Sequence, residues 1–211
     1  MTDKHRRFLG PVVEMRKLHD SAGQRIVHSA EMLDRKSLAS VGDTTGERLT
    51  ALLTETKAHT PEELAANVAR IGELLGRFAL YVPARFTDDP AEQAKYWAVR
   101  SGIFPAVGGS RPAGTTCLSE DVAFHIEDLP RATAELQALI ARHGYDACIY
   151  GHALEGNYHF IINQSFSPPA EVARYEALMN DVAELVVGRY DGSLKAEHGT
   201  GRNMAPFLRR E

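Results

Sequence analysis

Apolar residues along this chain follow two periods. Leu64, Val68, Ile71, Leu74 and Leu75 recur at helical spacing, as do Leu136, Leu139 and Ile140. Val172, Tyr175, Leu178, Val182, Leu185 and Val186 line one face of a last long helix. Punctuation agrees with these helices. Thr60-Pro61-Glu62-Glu63 places a capping hydroxyl, a first-turn proline and two acids where a helix starts, and Gly76 ends it. Asp88-Asp89-Pro90 opens a helix carrying Tyr96, Trp97, Val99 and Arg100, expected to end near Gly102 to Pro105. Leu129-Pro130 opens another that closes at His143-Gly144, and Pro168-Pro169-Ala170-Glu171 starts the last. Strand-like runs are predicted over Leu49–Thr54, Phe78–Val82, Thr116–Ile126, Tyr145–Tyr150 and Tyr158–Gln164. Residues 1–30 show only a weak helical stripe at Val12, Val13, Met15 and Leu18; Ser37–Val41 reads as a short helix and Gly42–Gly46 as a loop. Residues 106–116, rich in Gly, Ser, Pro and Thr, read as a long loop. The order β-α-β-α-β-α-β-β-α suits an α+β fold with helices covering one face of a largely antiparallel sheet.

The stretch with most chemistry is Gly151-His152-Ala153-Leu154-Glu155-Gly156-Asn157-Tyr158-His159, flanked by the last two strands. Gly156 and Asn157 tolerate positive φ, so the stretch reads as a hairpin tip. A turn centred on Glu155-Gly156 pairs His152 with His159 for two- and four-residue loops alike, with Cβ atoms about 5 Å apart on one face. Two imidazoles at that separation can share a metal ion. A carboxylate from Glu197-His198-Gly199-Thr200-Gly201 would complete a His-His-Glu set with an open position, the pattern of catalytic metal sites. The same residues also suit a polar hairpin tip beside an ordinary Gly-rich loop. Glu120 and Asp121 are adjacent on a strand, so at most one faces a given site. Arg111 sits in the Gly-rich loop as a surface arginine or a second anion contact.

Composition narrows the classes. The chain has 211 residues, 44% hydrophobic and 25% charged, with a net charge of −4, so it carries no basic footprint for nucleic acid. No apolar run approaches the about 18 residues of a membrane span, and residues 1–9 lack the apolar core of a signal peptide. Cys117 and Cys148 are isolated, which suits a reducing cytoplasm and buried thiols. Gly108-Gly109 and Gly199-Thr200-Gly201 match neither a dinucleotide fingerprint nor a P-loop.

The hairpin stretch resembles a G-H-x-x-E/D-G-N-L/Y-H motif of the FAD-linked oxidases that act on D-2-hydroxy acids such as D-lactate, D-2-hydroxyglutarate and glycolate. Gly192-Ser193-Leu194-Lys195-Ala196-Glu197-His198-Gly199-Thr200-Gly201 resembles the second motif of that family, and the two occur in the family's order. The resemblance spans roughly residues 12–207 and corresponds to the C-terminal substrate and cap part. Arg202-Asn203-Met204-Ala205-Pro206-Phe207 looks most like the large members that also carry an iron–sulfur region. The resemblance implies a duplicated ferredoxin-like sheet. On this reading residues 1–48 connect, 49–190 form the substrate-binding domain, and 191–211 pack on a flavin-binding domain held elsewhere. The chain is then a fragment or one product of a split enzyme, inactive alone.

For the site, the resemblance implies a divalent metal on His152, His159 and Glu197, with zinc, manganese and iron all compatible with the ligand set. It implies Arg100, in Trp97-Ala98-Val99-Arg100, as the anchor of the substrate carboxylate, and His198 as the proton acceptor. FAD would take the hydride from a small 2-hydroxy acid. Some members place a lysine before the strand aspartate, but Ser119-Glu120 stands here. Two rival classes stay open on the residues alone: a metal-dependent hydrolase, and a non-catalytic ferredoxin-like binding module.

Overall fold

A computed structural model describes residues 4–43, 49–199 and 201–210. Among these, five strands form one sheet: β1 (Ser29–Leu33), β2 (Ala51–Glu55), β3 (Thr116–Ala123), β4 (Cys148–His152) and β5 (Asn157–Gln164). Their order is β2-β1-β4-β5-β3, and every pairing is antiparallel. The described helices are α1 (Lys4–Met15), α2 (Arg35–Ser40), α3 (Pro61–Leu75), α4 (Pro90–Gly109), α5 (Leu129–Arg142), α6 (Pro169–Ala183) and α7 (Gly201–Met204). The fold is therefore α+β around an antiparallel sheet, as the periodicities imply.

Alternation along the strands sorts side chains onto two faces. Ala30 and Met32 of β1, Val122 of β3, Ile149 of β4, and Tyr158, Phe160 and Ile162 of β5 join the larger core. There they meet Val12 and Met15 of α1, Ile71 of α3, Leu136 and Ile140 of α5, and Leu178 and Val182 of α6. The second face carries a smaller apolar cluster, in which Leu33, Cys148, Tyr150 and Ile161 pack on Leu38 of α2 and Ile103 of α4. Most helices thus lie on one side, and α2 and α4 add a partial layer on the other. Glu31, Asp121, His152 and His159 have the parity of this second face. A polar cluster can form there without cutting into the main core.

Local rules explain most boundaries. Thr60 accepts from the Glu63 N–H and Glu63 reaches back to the Thr60 backbone, closing a capping box at the start of α3. Asp34 caps α2 by accepting the Ser37 N–H alone. Helix α4 runs four residues past Pro105, to Gly109, so the loop expected from residue 106 begins later. Proline removes a single N–H, and the Ser110 N–H still reaches the Ala106 carbonyl at 3.1 Å.

Two elements differ from the sequence reading. Phe78–Val82 is not a strand; Tyr81 and Val82 are 69% and 65% exposed, and no strand edge receives them. Conversely, Ser29–Leu33 is a strand between β2 and β4, although Glu31 interrupts its apolar run. The segment before residue 49 therefore supplies α1, β1 and α2 to the same structure. The loop read over Gly42–Gly46 lies partly outside the described residues.

Candidate metal centre

The β4–β5 hairpin fixes the first two side chains, with a register different from the one expected. Tyr150, not His152, lies opposite His159. The chain turns through a short 3₁₀ segment at Ala153–Glu155 and a left-handed Gly156, φ 74°. The turn is thus centred one residue earlier than Glu155-Gly156, which shifts the pairing by two. A shift of two preserves the face, so His152 and His159 still converge, diagonally, with ring centroids 5.7 Å apart. Gly156 has a second reason to be glycine: a Cβ there would stand 2.1 Å from the Phe124 carbonyl oxygen. That approach lets the Phe124 N–H bond the Gly156 carbonyl at 2.9 Å.

The neighbouring strands add an acid beside each histidine. Glu31 of β1 lies directly opposite His152, and Asp121 of β3 directly opposite His159. The order β1-β4-β5-β3 therefore sets Glu31, His152, His159 and Asp121 side by side. His152 Nδ1 is 2.5 Å from Glu31 Oε1, and His159 Nδ1 is 3.4 Å from Asp121 Oδ1. Both Nε2 atoms meet the same oxygen from the opposite direction: Glu197 Oε1 lies 3.1 Å from that of His152 and 2.9 Å from that of His159.

Glu197 is brought in by two long-range devices. Ser193 forms an isolated antiparallel bridge to Ala123 at the end of β3, with hydrogen bonds of 2.8 and 2.9 Å. Asp121 Oδ2 then accepts the backbone N–H groups of Glu197 and His198 at 2.7 and 2.8 Å, while its Oδ1 accepts from Asn157 Nδ2 at 2.9 Å. Burial opposes the charge on Asp121, but the His159 imidazole and the two N–H groups win and hold its carboxyl at about 2. A turn at residues 196–198 lets both neighbours face the cluster, so His198 stacks on His159 at 4.8 Å and 11°. Its Nε2 is 3.5 Å from Glu197 Oε1.

Arg100 reaches the cluster's margin from α4. Its Nε donates to Glu31 Oε2 at 2.7 Å, and its guanidinium lies 4.5 Å over the Tyr150 ring. Among the described residues its Nη atoms have no hydrogen-bond partner. Burial acts against the Glu31 charge, yet His152 and Arg100 together lower its pKa. The Glu31 hydrogen bond in turn raises that of His152. Arg111 takes no part, since it bonds the Gly108 carbonyl at the end of α4 and the Thr115 carbonyl of its own loop.

The sequence reading thus placed Arg100, His152, His159, Glu197 and His198 in one neighbourhood, and the structure brings all five together. It missed Glu31 and left Asp121 undecided. Asn157, read as turn chemistry, is buried and supports Asp121. A signal for Asp121 existed: it and Asn157 lie on paired strands flanking His159.

One ligand atom from each of His152, His159 and Glu197 lies within 4.8 Å of the others, and the same holds for Asp121, His159 and His198. The first set fits a divalent cation. His152 keeps an acid hydrogen-bonded at Nδ1, the arrangement that leaves Nε2 free to ligate, and His159 Nδ1 has Asp121 3.4 Å away without a hydrogen bond. In the second set, Asp121 already accepts three N–H groups, two of them from the backbone turn that carries Glu197 and His198.

Fold and cluster together define an α+β domain with a candidate metal centre on the less covered face of its sheet. The chain belongs to the family described as FAD linked oxidases, C-terminal domain, which matches residues 15–211. It is 34% identical over 118 residues to the glycolate oxidase subunit GlcD of Escherichia coli (strain K12), covering 56% of this chain and 23% of that protein. Identity is 34% over 123 residues with the D-2-hydroxyglutarate dehydrogenase of Xanthomonas citri pv. viticola, covering 56% and 25%. It is 28% over 126 residues with a probable mitochondrial D-lactate dehydrogenase of Danio rerio, covering 60% and 25%. The matched stretches thus span about a quarter of these curated relatives. A 4-ethylphenol oxidase from Gulosibacter chungangensis superposes with a TM-score of 0.46 at 11% identity, over 87% of this chain and 42% of that one. No described helix is long and apolar enough to cross a membrane.

Proposed function

We propose that this chain is the substrate-binding part of a flavin-dependent dehydrogenase that oxidises D-2-hydroxy acids to 2-oxo acids. One observation carries the reading: His152 Nε2, His159 Nε2 and Glu197 Oε1 converge beside an arginine whose Nη groups have no hydrogen-bond partner among the described residues, in a chain of the FAD-linked oxidase family. The three relatives are named for glycolate, D-2-hydroxyglutarate and D-lactate, all small 2-hydroxy acids. A divalent ion on His152, His159 and Glu197, with zinc as first choice for two nitrogens and one oxygen, would act as a Lewis acid on a ligand hydroxyl. The chain's own residues do the rest. Arg100 binds the carboxylate through its Nη groups. His198, stacked on His159, accepts the hydroxyl proton at a ring nitrogen. Asp121 holds the 197–198 turn so that ligand and base stay in register.

FAD is the redox cofactor that the family implies. The described residues offer no strand, Gly-rich turn and helix to cradle its pyrophosphate. The redox half therefore falls to a flavin-binding domain, fused or separate. On this proposal residues 191–211 pack toward that domain, an iron–sulfur region lies elsewhere in the assembly, and this chain alone does not turn over. The assembly would work in the cytoplasm.

The test is dye-coupled oxidation of D-lactate, D-2-hydroxyglutarate and glycolate by the flavin-containing enzyme that includes this chain. Activity on at least one of them, with a KM raised at least tenfold by Arg100→Ala, is expected. Turnover unaffected by Arg100→Ala, or robust turnover by the 211-residue chain alone, contradicts the reading.

A further inference from the structure

Glu31 is bonded to both halves of the proposed site. It is 2% exposed, and its two oxygens serve different partners. Oε1 meets His152 Nδ1 at 2.5 Å, and Oε2 meets Arg100 Nε at 2.7 Å. An ionised carboxylate only accepts. His152 faces a carboxylate at each ring nitrogen, but Glu31 is buried and nearer, at 2.5 Å against 3.1 Å for the exposed Glu197, so the neutral ring keeps its proton on Nδ1 and leaves the lone pair on Nε2. Only that tautomer can ligate a cation at the cluster. Arg100 is fixed by the same group: Nε is taken by Glu31, the guanidinium plane lies over Tyr150, and the two Nη groups stay available.

We propose that Glu31 is a positioning residue that registers the cation-binding histidine against the carboxylate-binding arginine. The inference rests on the reading of His152 as a metal ligand and extends it. Because one short side chain ties both groups, their spacing is set by the sheet and not by a flexible loop. The site therefore suits ligands whose carboxylate is adjacent to a chelating oxygen, as in a 2-hydroxy or 2-oxo acid. Strand β1, outside both sequence motifs, thereby becomes part of ligand selection.

Glu31→Gln separates the two jobs without changing shape. Its amide oxygen can still accept from Arg100. Its amide nitrogen then faces His152 Nδ1 as a donor, which favours the opposite tautomer. Long-range proton–nitrogen correlation spectra of the labelled metal-free chain, taken above the imidazole titration range and assigned with His152→Gln, read this directly. The wild type should show a protonated Nδ1 and a bare Nε2 at His152, and Glu31→Gln should reverse or mix them. Zinc affinity by calorimetry should fall about 10- to 100-fold in Glu31→Gln, the range for losing an outer partner of a ligating histidine. Oxalate, which carries a carboxylate next to a chelating oxygen, should bind the zinc-loaded wild type more tightly than succinate, and Arg100→Leu should shrink the difference at least about tenfold, to what the chelate ring alone supplies, without altering the His152 tautomer. An unchanged tautomer in Glu31→Gln overturns the proposal whatever zinc does. A reversed tautomer in a chain that binds no zinc supports the control of His152 by Glu31 and removes the metal reading beneath it.

Discussion

Asp121→Asn should cost this chain about 2.5 kcal/mol at neutral pH, and the structure shows why the figure is not larger. The wild-type carboxyl is lowered from an ordinary 3.8 to about 2, by His159 and by the N–H groups of Glu197 and His198 against the opposing effect of burial. At about 1.36 kcal/mol for each tenfold change in proton affinity, that lowering stores about 2.5 kcal/mol in the charged form. The side chain is 5% exposed, so solvent screening does not discount it. The introduced amide has one acceptor and one donor where three N–H groups converge. Its oxygen can stay with the two backbone groups, and its nitrogen then faces Asn157. Asn157 can rotate its own amide, because its oxygen is buried without a hydrogen bond. The rotation avoids a second unsatisfied group, and the lost charge remains the main cost. Because the folded-state pKa is depressed, the stabilisation is complete above the unfolded value near 4 and vanishes as pH falls through about 2. Denaturant unfolding of both proteins, with chelator present, should show the gap at pH 7 and its shrinkage between about pH 4 and 2. Thermal midpoints at neutral pH should differ by about 5–10 °C. A neutral-pH gap below about 0.5 kcal/mol, the level of a surface substitution, or a gap that persists unchanged in acid, would refute the reasoning.

Gly156→Ala should lose more than about 3 kcal/mol, since a left-handed φ and a backbone clash with Phe124 act together; a thermal midpoint within a few degrees of wild type counts against the hairpin geometry. Glu120 is buried with its pKa raised by desolvation, although Asn203 and Tyr175 donate to it. A raised carboxyl pKa makes the folded state lose stability as pH climbs past the ordinary carboxylate range. Glu120→Gln keeps the oxygen that accepts both bonds, so it should be more stable than wild type at pH 7, by an amount that disappears in acid; equal stability at both pH values argues against the burial penalty. His198→Gln in the flavin-containing enzyme should lower kcat with D-2-hydroxy acids at least a hundredfold and leave zinc affinity of this chain within about threefold; an unchanged kcat removes it as the proton acceptor.

The histidine pair was legible in sequence for a robust reason. Any even error in hairpin register leaves His152 and His159 on one face, so the misplaced turn centre did no harm. Glu197 was legible only through its motif, because the Ser193–Ala123 bridge and the Asp121 side chain that recruit it are long-range. Glu31 was not legible at all. A carboxylate inside an apolar run argues against a buried strand until its partners, Arg100 and His152, are known. The opposite error occurred at Phe78–Val82, where an apolar run without a neighbouring edge stayed irregular and exposed. The start of α3 was legible because its cap is local, at Thr60 and Glu63, whereas α4 ran past its expected end.

The central claim is that His152, His159 and Glu197 form one cation site, and zinc calorimetry on the wild-type chain and on His159→Ala tests it most directly. The account predicts a single zinc per wild-type chain and an affinity lower by at least about a hundredfold in His159→Ala, since each ligand carries a large share of the binding energy. Equal affinities in the two proteins would contradict it.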